Sequence, residues 1–197
     1  MGFDPEWISA AANVVTAGAV ALAYKQFRGD HERSRRQLSV ELMQEWVRNL
    51  TQHSTAARKL VDTFSDEQAK RLYAQEPFEV EKKNVPLLDA ALSDTLNCAG
   101  DSYKLTVEQS STTLRWEVIN YLNALEVILS AWNNNIADRD MLEEQFRDLV
   151  SPEKDVYLLK NFRKATGGAA TYPCIEEFVK HLEAVKTPST TGKGRVA

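Results

Sequence analysis

Residues 7–24, WISAAANVVTAGAVALAY, run for eighteen positions without a formal charge. Coiled as a helix, that run spans roughly 27 Å, close to the ~30 Å hydrocarbon core of a bilayer. A chain carrying such a run must bury it in its own core or give it to lipid, and the flanks decide between the two. Lys25, Arg28, Arg33, Arg35 and Arg36 follow the run, whereas Asp4 and Glu6 precede it without any Lys or Arg. Basic residues stay on the cytoplasmic side of a span, so the pattern predicts one N-terminal transmembrane helix, N-terminus outside, followed by a cytoplasmic domain. The same asymmetry argues against a cleaved signal peptide, whose positive charge lies before the apolar stretch, although Ala21-Leu22-Ala23 resembles a cleavage site. Trp7 and Tyr24 stand at the two ends, where amphipathic rings favour the interface, and Lys25 is placed to snorkel.

The run is mild for a span, with one leucine, many alanines and three polar residues. Ser9, Asn13, Thr16 and Val20 fall at i, i+4, i+7 and i+11 on one helical face, and Ala17, Gly18 and Ala21 are small enough for close backbone approach. In lipid such a face packs against another helix through interhelical hydrogen bonds and small-residue contacts. With one span per chain, the partner is a second copy. The expected oligomer face is therefore Ser9, Asn13, Thr16, Ala17 and Val20, converging on a homo-oligomer or a pore.

Beyond the span, Ala, Leu, Glu, Lys, Gln and Arg dominate, and the few glycines and prolines gather at junctions, a helix-forming composition. The expected class is all-α: one transmembrane helix, then a cytosolic multi-helix bundle. The expected divisions are an anchor over 1–28, a basic juxtamembrane segment and amphipathic helix over 29–64, a helical domain over 65–186 and a disordered tail over 187–197. Leu38, Leu42, Trp46, Leu50, Ala57, Leu60, Val61 and Phe64 recur at helical spacing, predicting one helix over about 36–64 that continues from the membrane as a stalk despite Gly29 and Asp30. Ser65-Asp66-Glu67-Gln68 reads as a capping box opening a helix that Pro77 stops. Pro86 fits the first turn of a helix reaching about residue 99. Leu114, Val118, Tyr121, Leu122, Leu125, Ile128, Leu129 and Trp132 form the broadest apolar stripe and mark the centre of the core. Asp138 or Asp140 caps a helix to Val150, Ser151-Pro152-Glu153 opens another that ends at Gly167-Gly168, and Pro173 opens the last, giving about seven cytosolic helices.

The formal net charge of -4 leaves no basic excess for coating phosphates, so direct nucleic-acid binding is not expected. Cys98 and Cys174 lack metal or redox spacing, and His31, His53 and His181 lie on separate helices. No metal site, no cofactor and no catalytic residue is expected. Lys160, Arg163 and Lys164 before the glycine pair are the candidate phosphate-binding group, against the ordinary role of basic residues at helix ends. Asn123 and Glu126 share a face of the long apolar helix with core residues. A carboxylate there must be paired, with Arg48, Arg58 or Arg115 as the candidates, or its pKa rises.

The order of a single span, a basic run, an amphipathic helix with a central Trp, then Leu122-Asn123-Ala124-Leu125-Glu126 followed by Ile136-Ala137-Asp138, resembles a bacterial family catalogued as domain of unknown function 4760. The resemblance covers most of residues 7–150. It implies a helical domain tethered to the bacterial inner membrane and brings no catalytic residues. The leading functional expectation is an effector or interaction protein of stress or antiphage defence. In it the cytosolic bundle receives a protein or small-ligand trigger, and the span, in contact with the lipid bilayer, transmits homo-oligomerisation. The alternatives are a passive anchor that recruits a cytosolic partner, and a nucleotide sensor or enzyme using Glu126 or the 160–168 segment.

Overall fold

The computed structural model of the chain describes residues 5–92, 100–105, 109–151 and 156–186, with side chains described outside positions 5–18, 21, 109, 110, 151, 156, 157 and 186. Helix α1 (Pro5–Asn49) is one element of 45 residues, about 68 Å long. It passes through Gly29 and Asp30 without a break, as expected of a continuous stalk. One exposed glycine costs a helix only about 1 kcal/mol. From residue 24 to residue 34 every side chain is exposed. The body first grips α1 at Arg35, whose guanidinium donates from Nε and Nη2 to the Ala137 carbonyl at 3.1 and 2.9 Å. Ser39, fully buried, accepts the Asp138 N–H at 2.7 Å. Trp46 completes the foot, edge-on to Tyr121 and Phe146 at 5.0 and 5.6 Å between ring centres.

The apolar pattern from Leu38 to Phe64 is two helices and not one. α1 ends at Asn49, and α2 (Gln52–Asp62) starts afresh from Thr51. The Thr51 hydroxyl accepts the Ser54 N–H at 2.9 Å, and the Ser54 hydroxyl accepts the Thr51 N–H at 3.0 Å. That reciprocal box ends one helix and begins the next. The periodicity runs across the break because both helices lay their apolar faces on the same core. The box at Ser65 and Gln68 forms as read and opens α3 (Asp66–Ala74), which closes on Gln75 in the left-handed region at φ 59°.

Two strand pairs depart from the all-α expectation. β1 (Phe78–Glu81) pairs antiparallel with β2 (Ser102–Leu105), Phe78 opposite Leu105. Phe78 and Val80 are buried while Glu79 and Glu81 are exposed, the period of two that a strand requires. Helix α4 (Val85–Leu92) has Pro86 in its first turn, and its predicted extension to residue 99 lies outside the described residues. α5 (Gln109–Asn133) is the centre of the core: Leu114, Val118, Leu122, Leu125 and Leu129 are fully buried, each worth about 1.5–3 kcal/mol relative to exposure. α2, α4, α6 and α8 pack around it.

α6 (Arg139–Phe146) is capped by Asp138, whose carboxylate accepts the N–H groups of Asp140 and Met141. It stops at Phe146, short of Val150, which begins β3 (Val150–Ser151), paired with β4 (Val156–Tyr157). Ser151-Pro152-Glu153 therefore opens no helix at Ser151, and residues 152–155 lie outside the described set. α7 (Lys160–Ala165) begins only after Leu158 and Leu159, both left-handed at φ 46° and 58°. α8 (Pro173–Lys186) opens at Pro173 as read, after Gly167 turns the chain at φ 110°. The tail over 187–197 lies outside the described residues.

The body is thus mostly helical, as expected, with two short β ribbons. Among the described residues no helix is long and apolar enough to cross a membrane. The uncharged run over 7–24 belongs to α1, and the side chains of its first twelve positions, 7–18, lie outside the described set.

Candidate functional site

The polar positions singled out in the body turn out to hold the fold together. Glu126 is half-buried on α5, and its carboxylate accepts the backbone N–H groups of Cys174 at 2.8 Å and Ile175 at 3.0 Å. These are orphan donors of the first turn of α8, which no residue of α8 itself satisfies. A carboxylate there also faces the positive end of the helix dipole. The partner of Glu126 is therefore a helix terminus, and none of the three candidate arginines. Arg58 pairs with Asp62 at 2.8 Å, Arg48 with Glu45 at 3.1 Å, and Arg115 lies over the Tyr73 ring at 5.1 Å. Asn123, expected on the core face, is exposed, because α5 turns its Leu122 and Leu125 inward and Asn123 falls between them. Burial, with the Glu126 carboxylate beside it, pushes the Cys174 thiol up, which makes it a poor nucleophile.

Lys160, Arg163 and Lys164 line one open cleft with Gly167, Gly168, Lys180, Glu176 and Glu183, so the structure brings the three together, but two of them already carry ion pairs. Arg163 is 2% exposed, ion-pairs with Glu176 of α8 and donates from Nε to the Leu158 carbonyl at 2.8 Å. Lys164 reaches Asp66 at 3.3 Å. Arg163 thus spends its charge holding α7 against α8, while burial lowers its pKa and Glu176 opposes that shift. Its neighbours fasten the left-handed pair of leucines: the Leu159 N–H donates to Asp62 at 2.6 Å, and the Asn161 amide donates to the Phe64 carbonyl at 2.7 Å. Burial raises the Asp62 carboxyl above its ordinary range against the pull of that N–H and of Arg58. Two left-handed leucines cost about 1–2 kcal/mol each. This hydrogen-bond set holds them in place. Asp62 and Asn161 were not foreseen, since their partners are backbone atoms almost a hundred residues away in the chain.

The histidines stand apart. His31 is exposed on α1, His53 Nδ1 lies 2.9 Å from the Ala90 carbonyl, and His181 Nε2 lies 2.9 Å from Glu143. No group of three or more His, Cys, Asp or Glu among the described residues is placed to hold a metal.

The remaining candidate is α1. Of its expected oligomer face, Ser9, Asn13, Thr16 and Ala17 have side chains outside the described set, and Val20 is 64% exposed. The same face continues down the stalk to Tyr24 and Phe27, both strongly exposed. Phe27 follows Ser9 by eighteen residues, which is five full turns. Further down, Val40 and Val47, seven residues apart, are 39% and 65% exposed, and Met43 between them is half-buried against the core beside Leu42. With Gln44 and Arg48 they form a shallow open patch on α1 alone.

Compared with known proteins, the chain matches no family model, no curated protein and no solved structure.

Proposed function

We propose that the protein is a single-pass, membrane-tethered interaction protein whose helical body is held off the bilayer by α1 and which acts by bringing copies of itself together. The observation that carries this reading is the course of α1. One unbroken helix takes the uncharged run into a basic stretch whose side chains are all exposed, and only then into the body. A run destined for the protein's own core would need a turn to fold it back, and the helix contains none. With Lys25, Arg28 and Arg33 on the body's side of the run, the body lies in the cytoplasm. Lipid takes the apolar residues, and Tyr24 and Phe27 sit at headgroup level.

Self-association rests on two surfaces of α1: the polar face through Asn13 and Thr16 in the span, and the exposed Val40 and Val47 seam at the foot. In lipid the first supplies interhelical hydrogen bonds, and in water the second supplies apolar burial. An effector of membrane stress or defence, triggered through its body, is the role this architecture suits.

Counting subunits of the fluorescently tagged full-length chain in lipid nanodiscs tests it. Two or more copies per disc are expected for the natural sequence, and a shift to single copies when Asn13 and Thr16 are both replaced by leucine. A natural protein found only as single copies overturns self-association. Unchanged association in the Asn13→Leu, Thr16→Leu variant moves the contact away from the polar face.

A further inference from the structure

A cleft of about 310 Å³ lies between the foot of α1, the start of α2 and the middle of α5. Trp46 and Tyr121 line it, at 6% and 5% exposure, together with Glu117, Asn120 and Asn49. Among the described residues no hydrogen bond within the protein engages the Trp46 indole N–H, the Tyr121 hydroxyl, the Glu117 carboxylate or the Asn120 amide, and of these Glu117 is half-buried and Asn120 exposed. The side chains of the cleft thus offer four unused hydrogen-bonding groups.

The kinds of group present define the ligand. Trp46 is a donor only, and burial holds the Tyr121 phenol protonated, so the two aromatic residues together offer two donors. Glu117 is an acceptor, and Asn120 is both donor and acceptor. No Lys, Arg or His lines the cleft, so nothing there neutralises a phosphate, and Glu117 repels one. The volume stands at the small end of the range for small-molecule sites. The matching ligand is small, without phosphate, with carbonyl or ring-nitrogen acceptors on one edge and N–H donors on another.

We propose that this cleft binds a free nitrogen heterocycle of the nucleobase class, its acceptor edge on Trp46 and Tyr121 and its N–H edge on Glu117 and Asn120. The inference stands on the cleft alone and does not depend on how α1 meets the membrane. A ligand here touches the last turns of α1 and the body at once, so its binding ties the stalk to the bundle.

Isothermal titration of the full-length protein in detergent, with adenine, guanine, hypoxanthine, cytosine and uracil in turn, is the test. At least one base binds with a dissociation constant below a millimolar, and its nucleoside 5′-monophosphate binds about tenfold or more weakly. Tyr121→Phe, which removes only the hydroxyl, and Glu117→Gln each weaken the base about tenfold while the melting midpoint stays in place. The proposal is overturned if no base binds at millimolar concentration, if the monophosphate binds as well as the base, or if both variants keep full affinity.

Discussion

Replacing Arg163 by methionine destabilises the protein by about 3–5 kcal/mol, the usual cost of removing one partner of a buried ion pair, and lowers the melting midpoint by roughly 10 °C. Three losses combine in that figure. Glu176 keeps a charge whose partner has gone, the Leu158 carbonyl loses its donor, and the left-handed leucines before α7 lose the side chain that bridges them to α8. The double variant Arg163→Met, Glu176→Leu recovers a large part of the loss, because a matched apolar pair needs no countercharge. Thermal and denaturant unfolding of the two single variants and the double variant, arranged as a cycle, gives the coupling directly. A loss below about 1 kcal/mol for Arg163→Met marks the pair as solvated and removes α7 from the structural skeleton.

Glu126→Ala costs about 2–3 kcal/mol, since it strips the cap from α8 and leaves two first-turn N–H groups without an acceptor. Glu126→Gln keeps one acceptor oxygen but no charge, and loses about half as much. Hydrogen exchange localises the effect: the amides of Cys174 and Ile175 lose protection in Glu126→Ala, while amides in the middle of α5 change only with global stability. Equal loss of protection throughout the body shows that Glu126 supports the core in general and not the start of α8.

How far the fold could be read in advance depended on the range of the interactions involved. The α5 stripe, the Ser65 capping box, the Pro173 start and the glycine turn at Gly167 were all legible, because each rests on neighbours within one or two turns. The break at Thr51 was missed although Thr51 and Ser54 sit three apart, since the apolar period continues across it. The strand at Phe78 was missed because four residues of alternation are too few to compete with a helical background. Leu158 and Leu159 read as helix formers and adopt left-handed backbone only because Asp62 and Arg163 hold them there. Glu126 was recognised as a carboxylate in need of a partner, but that partner is a helix end forty-eight positions further along the chain. A pattern that marks an unpaired charge does not say whether a side chain or a backbone amide will satisfy it.

The α1 seam shows the same limit from the other side. Leu38, Leu42 and Trp46 dominate the periodicity and hide the exposed pair Val40 and Val47, which becomes visible once the body is known to cover the first. The polar face through Asn13 and Thr16 matters only if α1 carries the run over 7–24 into lipid. The direct measurement is an alkaline carbonate wash of membranes from a bacterial host expressing the full-length chain. Retention in the membrane pellet, with release by detergent alone, is the expected result. Recovery of the intact chain as a freely water-soluble monomer in the supernatant would contradict it.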